Sequence, residues 1–145
     1  MKPRSTGSVR LRSRDAAALP VVDGAFCTDA DGHDMEVILD GLRRVRELAS
    51  TRAMQAVVSG ELALTASIED DEGWHRHARS ALSSYYHPTS TCGIERVVDR
   101  DARVIGLDNV YAGDASIMPS IPRANTNLST LAVAERVADL LRRTR

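Results

Sequence analysis

Apolar and polar positions recur with different periods along this chain, and each change of period marks an element. Ser8-Val-Arg-Leu-Arg-Ser13 alternates strictly after Gly7. That is the pattern of a half-buried strand, with Val9 and Leu11 on one face and Arg10 and Arg12 on the other. Asp15 to Asp23 reads as an extended connection whose end, Pro20-Val-Val-Asp23, predicts a short strand entering a turn at Gly24. The period then becomes helical. Met35, Ile38, Leu39, Leu42, Val45 and Leu48 fall at three- and four-residue steps, predicting an amphipathic helix from about Asp34 to about Ser50. A polar cluster rich in capping residues, Thr28 to Asp34, precedes it. Glu36 lies near its start and Arg43, Arg44 and Arg46 toward its end, as the helix dipole favours.

Met54 to Thr65 has no clear period and is interrupted by Gly60. Asp70-Asp-Glu72 supplies an acidic, capped opening for a second helix of about a dozen residues, with Trp74, His77, Ala78, Ala81 and Leu82 on its buried face. Tyr85-Tyr86-His87 is expected to be extended, because Pro88 disfavours an α conformation at His87. Val97 to Asp99 and Val104 to Gly106 bracket a polar turn at Arg100-Asp-Ala. A second turn at Leu107-Asp-Asn109 leads into a strand at Val110-Tyr-Ala. Leu128, Leu131, Ala132, Ala134, Val137, Ala138 and Leu141 then predict a last helix starting near Leu128. Its wide apolar arc implies that it is largely buried, with Arg142, Arg143 and Arg145 at its C-terminal end. The fold class is α+β.

Between the last strand and the last helix lies Gly113-Asp-Ala-Ser-Ile-Met-Pro-Ser-Ile-Pro-Arg-Ala-Asn-Thr-Asn127. Two prolines and a Gly-Asp-Ala-Ser corner give it a defined irregular path. Such a passage gathers backbone N–H groups at a helix N-terminus, which suits an anionic or hydrogen-bonding ligand. It is equally readable as a proline-rich connection.

Composition narrows the function classes. A chain of 145 residues makes one domain or a piece of a larger one, and at 43% hydrophobic but 3% aromatic its core rests on Leu, Val, Ile and Ala. The net charge of -1 argues against a general nucleic-acid or membrane-surface binder. Lys2 is the only lysine, a coding bias more than a phosphate-binding device. Cys27 and Cys92, far apart in sequence, suggest reduced thiols. No signal-peptide h-region and no run long enough to span a bilayer is present, so the expected location is cytoplasmic.

Candidate chemistry centres on one of four histidines. His75 and His77 would point roughly 200° apart on a helix and cannot chelate one metal from a single face, so no metal site is expected. His33 lies in a polar turn. His87 sits between Tyr85-Tyr86 and Pro88, ahead of the small-residue loop Thr89-Ser-Thr-Cys-Gly93. With a reference pKa of about 6.5 it suits a general base, although pattern alone favours a buried histidine bonded to backbone. Ser84, Ser90 and Thr91 nearby hint at a hydrolase, but there is no Gly-x-Ser-x-Gly elbow. There is no Gly-x-Gly-x-x-Gly or P-loop either.

Taken in order, several stretches together resemble the C-terminal region of the glucose–methanol–choline (GMC) oxidoreductases, flavoenzymes that bind FAD and oxidise alcohols. They are His87-Pro-Thr-Ser-Thr-Cys92, Val97-Val-Asp99, Val104-Ile-Gly-Leu-Asp-Asn-Val110, Gly113-Asp-Ala-Ser-Ile-Met-Pro119 and Asn125-Thr-Asn127. The opening Lys2-Pro-Arg-Ser-Thr-Gly-Ser-Val-Arg-Leu-Arg-Ser13 resembles the start of that region, where a substrate-domain strand begins. The likeness spans essentially the whole chain. It implies a substrate-domain portion over residues 1–86 and a catalytic, flavin-facing segment over 87–145.

The resemblance further implies that His87 is the base that takes the substrate hydroxyl proton as hydride leaves the carbinol carbon for the flavin. Asn125 falls on the second active-site position, where its amide would hold the substrate oxygen; a one-step slip would exchange it for Asn127. Asp114 and Ala115 match the family's Asp-Ala contact with the ribityl and phosphate side of FAD. Thr126, Asn127 and Leu128 would place the last helix's N-terminus under the flavin pyrimidine, where reduced flavin gathers negative charge. Two departures stand out: Ser90 where the family usually has Gly, and Gly93-Ile94 where it has Arg-Met. The Rossmann-type fingerprint found near the start of family members is absent here. The implied partner is therefore an N-terminal FAD-binding half, from the same gene or a separate polypeptide. The other outcome is a non-catalytic remnant or interaction module. The alcohol, the electron acceptor and the oligomeric state are left open by the residues.

Overall fold

The computed structural model describes residues 2–143, so Arg145, expected at the end of the last helix, lies outside the described residues. The chain forms two compact units, one running Pro3–Ser83 and one beginning at Ser84. The elements mix helices with a small sheet, in keeping with an α+β fold.

In the first unit, β1 (Ser8–Arg10) pairs antiparallel with β2 (Val21–Asp23), with Val9 opposite Val22. Both expected strands form, but neither is half-buried. Leu11 lies past the end of β1 and is 88% exposed, and Val9 and Val22 are exposed as well. The alternation is real, yet a two-stranded ribbon has no layer against which to bury its apolar face.

Helix α1 (His33–Ala49) carries Asp34 and Glu36 in its first turn and Arg46 in its last. It buries Met35 and Leu39 against Trp74 and Ala78 of α4 (Asp71–Ala81), with Ile38, Leu42, Cys27 and Ile68 packed around them. Only the first half of the predicted stripe is used, since Val45 and Leu48 are exposed. On α4 the expected face is narrower than the sequence suggests: Ala81 is exposed, while Asp70 caps the helix by accepting from the Gly73 N–H at 2.7 Å. The aperiodic stretch between these helices holds only the short turns α2 (Arg52–Gln55) and α3 (Ala63–Ala66). Arg46 ties it down. Its guanidinium lies 4.3 Å from the Trp74 ring centroid and donates to the carbonyls of Thr65 (2.8 Å) and Ile68 (3.0 Å) and to Glu61 (2.8 Å).

A buried carboxylate fixes the entry to α1. Asp34 accepts from the backbone N–H groups of Arg4 and Ser5, each at 2.8 Å. Burial alone would raise its pKa. The hydrogen bonds from the Ser5 side chain and from the Arg4 and Ser5 amides outweigh that and hold it below the ordinary value.

The second unit, from Ser84, has little regular structure before its last helix. Single bridges join Ile94 to Val98, Val98 to Val104 and Arg103 to Tyr111; the expected strand at Val110-Tyr-Ala reduces to the last of these. Asp99 closes the predicted polar turn by accepting from the amides of Asp101 (2.9 Å) and Arg103 (3.0 Å). A 3-10 turn at Ala115–Ile117 precedes α5 (Thr126–Arg143). Val98, Ala102, Ile117 and Val137 form the core, with Cys92, Ile94, Val104, Ala112, Val133 and Leu141 against it. Helix α5 starts two residues earlier than its apolar pattern implied. It is also not largely buried: Leu128 is 78% and Leu131 55% exposed, while Val133, Val137 and Leu141 pack into the core of this unit.

Four residues between Tyr86 and Ala102 take left-handed backbone conformations, among them Ser90 at φ 73°. A side chain there crowds the following carbonyl, at a cost of about 1 kcal/mol that glycine avoids. This is the position where the family resemblance expects glycine.

Three consequences are measurable by unfolding. Leu39, fully buried, should lose about 2–5 kcal/mol on Leu39→Ala. Asp34→Asn should lower stability at neutral pH by about 1–2 kcal/mol. Because the folded pKa of Asp34 is depressed, its contribution is complete above the unfolded value. It is lost as pH falls through the folded one, so the gap between wild type and variant should close below about pH 4. Ser90→Gly should raise stability by about 1 kcal/mol, seen as an increased Tm.

Candidate functional site

The candidate site residues all lie in the second unit, on two loops and the start of α5. The first loop leaves α4 and reaches His87. Expected to be simply extended, it instead bends sharply: Tyr86 has φ 60°. The Tyr86 N–H donates to Ser84 Oγ at 3.0 Å, and the Tyr86 carbonyl lies 3.0 Å from His87 Nδ1. A carbonyl can only accept, so Nδ1 carries a proton and the neutral ring keeps its lone pair on Nε2. That Nε2 is buried and meets no hydrogen-bond partner among the described residues. Tyr85 stands edge-on to the imidazole, ring centroids 5.2 Å apart.

The second loop carries Asp114 and Ala115. Asp114 caps the 3-10 turn, its Oδ1 accepting from the Ser116 N–H at 2.8 Å. The hydrogen bonds from Ser116, side chain and backbone, lower the carboxyl's pKa against the opposing effect of burial. The two loops are joined by backbone: Ser90 N–H donates to Ala115 O (3.3 Å), Cys92 N–H to Ser116 O (2.9 Å) and Ile94 N–H to Ile117 O (3.1 Å). The second loop also lies tightly on α5. A Cβ on Gly113 would come within 3.2 Å of Val137 Cγ1, so only glycine allows this approach without displacement.

At the N-terminus of α5, Asn125, Asn127 and Leu128 are exposed, and the first turn holds no acidic residue. Thr126 is buried, its carbonyl accepting from Thr130 Oγ1 at 2.8 Å. Thus Ala115 is bonded to the His87 loop and Asp114 caps the turn that carries it, while Asn125, Asn127 and Leu128 stand uncovered at the head of the helix that packs on the second loop. An exposed N-terminus of an 18-residue helix, free of carboxylates, fits a group that gathers negative charge. The parts missed by pattern reading are the Ser84 hydroxyl and the Tyr86 carbonyl. A serine two residues ahead of a bend is a known turn signal, but the carbonyl direction has no sequence signature.

Comparison with known proteins shows the family. A family model for the C-terminal region of GMC oxidoreductases matches residues 3–134. Choline oxidase of Arthrobacter globiformis is 37% identical over 148 aligned residues, covering 98% of this chain and 27% of that protein. Among solved structures, formate oxidase superposes with TM-score 0.88 at 27% identity, over 99% of this chain and 26% of that one. Pyridoxine 4-oxidase from Mesorbium loti gives TM-score 0.87 at 25% identity, over 98% and 28%. The chain therefore spans about a quarter of the length of the relatives it matches. No described helix is long and apolar enough to cross a membrane. A family match over nearly the whole chain and the fold of its solved relatives, at 25 and 27% identity, place this chain among the GMC oxidoreductases, at the part that matches their C-terminal region.

Proposed function

We propose that this chain supplies the base-bearing end of an FAD-dependent, alcohol-oxidising site, with residues 1–86 on the substrate side and 87–145 facing the flavin. The observation that carries the reading is His87, whose Nδ1 proton is committed to the Tyr86 carbonyl while Nε2 is left buried and unpartnered. A buried polar atom without a partner is costly, and such atoms call for a functional explanation. Nε2 is the atom that would take the hydroxyl proton. Because it is closed to solvent in this chain, an alcohol reaches it only when its covering groups shift.

Asn125, exposed beside the N-terminus of α5, would donate its amide to the substrate oxygen as negative charge develops there. The α5 N-terminus would stabilise the flavin pyrimidine through Asn127, Leu128 and the backbone N–H of the buried Thr126. Asp114 has one carboxylate oxygen committed to Ser116, so its contact with the ribityl side would come from the other oxygen, with Ala115 alongside. The chemistry supplied by bound FAD is acceptance of the hydride from the carbinol carbon. The dinucleotide's main binding surface would come from the N-terminal part of the family's architecture, in the same or a separate polypeptide. The exposed Leu128 and Leu131 on α5 support such a covering region. The name choline oxidase supports an alcohol as the substrate class of the assembled site.

A second reading, a non-catalytic remnant or interaction module, draws on the same exposed apolar surface. Reconstitution separates the two. Co-expression with a matching FAD-binding half should yield a flavin-containing complex that reduces a dye with alcohols; a colourless, inactive complex supports the remnant. In the active complex, His87→Ala should lower kcat/KM about 10²–10⁴-fold while flavin stays bound. Unchanged turnover would remove His87 as the base. Asn125→Ala should cost about 10²–10³-fold in kcat, and a larger loss from Asn127→Ala would move the second role to Asn127.

A further inference from the structure

We propose that Ser84 and Tyr86 are positioning residues which lock His87 into the tautomer bearing its proton on Nδ1; this inference rests on the reading of His87 as base. Histidine's neutral side chain in water prefers its proton on Nε2, the opposite arrangement and the wrong one for a base that must accept through Nε2. A local device reverses that preference. Ser84 Oγ accepts the Tyr86 N–H at 3.0 Å, closing a side-chain turn. Tyr86 takes φ 60°, a conformation its Cβ disfavours, and in it the Tyr86 carbonyl lies 3.0 Å from His87 Nδ1.

Neither tyrosine ring explains this geometry through burial. Tyr86 is 86% exposed and Tyr85 is exposed too, touching His87 only edge-on. A strained backbone conformation held under an exposed side chain points to the backbone as the functional element. Pro88, with its fixed φ, restricts His87 from the other side. The tautomer is thus set by main-chain direction, and the identity of the residue at 86 matters only through the conformations it permits.

The test reads the tautomer directly, from the ¹⁵N shifts of the imidazole nitrogens in the histidine-labelled full chain. It is run above the reference histidine pKa of about 6.5, with His87 assigned by its loss in His87→Gln. Wild type should show a protonated Nδ1 and a bare Nε2. Tyr86→Gly, which permits the left-handed conformation, should keep that pattern. Tyr86→Val, whose β-branched side chain resists it, should shift the population toward Nε2–H. Ser84→Ala should shift it the same way, and Ser84→Thr should restore it. A wild-type ring protonated on Nε2, or a pattern indifferent to Tyr86→Val and Ser84→Ala, overturns the proposal. Because this readout needs neither flavin nor alcohol, it separates from the catalytic one. If the tautomer follows these substitutions while His87→Ala leaves turnover of the reconstituted enzyme intact, the positioning device stands and the role of His87 as base falls.

Discussion

Three backbone hydrogen bonds hold the candidate site together: Ser90 to Ala115, Cys92 to Ser116 and Ile94 to Ile117. Without them the His87 loop and the Asp114 loop would be separate irregular segments of chain. They are not part of a regular ladder, because alternate residues on one side meet consecutive carbonyls of a 3-10 turn on the other. The join depends on Asp114 capping that turn and on Ser90 accepting a left-handed conformation at its end. Beneath it, Ile117 and Val137 anchor the turn to α5, and Gly113 lets the second loop approach the helix closely. Loops placed by main-chain bonds over a small apolar core are an economical way to hold polar groups at defined positions.

Backbone strain recurs in the same place, and also at Ala25 and Cys27 of the first unit. Tyr86, Ser90, Glu95 and Ala102 all lie at positive φ within the stretch that carries His87 and runs on to the turn after Val98. Each has an identifiable local counterweight. Ser84 holds Tyr86, the join to Ala115 holds Ser90, the Glu95 N–H donates to the Val98 carbonyl at 2.7 Å, and the carboxylate of Asp99 closes the turn containing Ala102. Unfavourable torsions sustained by surrounding bonds are characteristic of segments whose geometry serves a ligand or a reaction. The first unit shows a different economy. Its tightest features, the Met35–Leu39–Trp74–Ala78 core, the Arg46 clamp and the Asp34 anchor, fix helices and chain entry.

Much of this was readable from the residues. The period of Met35 to Leu42 and the Asp70 cap placed α1 and α4 within a residue or so, since burial periodicity and capping are local properties. The motifs around His87, Asp114 and Asn125 identified the family before any fold was known. Burial was read less well. Val9, Leu11, Leu128 and Leu131 are apolar in the right rhythm yet exposed, because periodicity reports which face could be buried and not whether another layer is present to cover it.

By itself, then, the amino-acid sequence determined the element types, the order of the motifs, the family and the residues that could carry chemistry, all of which follow from local pattern. Tertiary structure decided how those residues are presented. It bonded the His87 loop to the Asp114 loop, buried Thr126 while leaving Asn125 and Asn127 uncovered, and turned the Tyr86 carbonyl onto His87 Nδ1. These features depend on backbone direction and on contacts between segments distant in sequence. A pattern of side-chain types encodes neither of these until the chain has closed on itself.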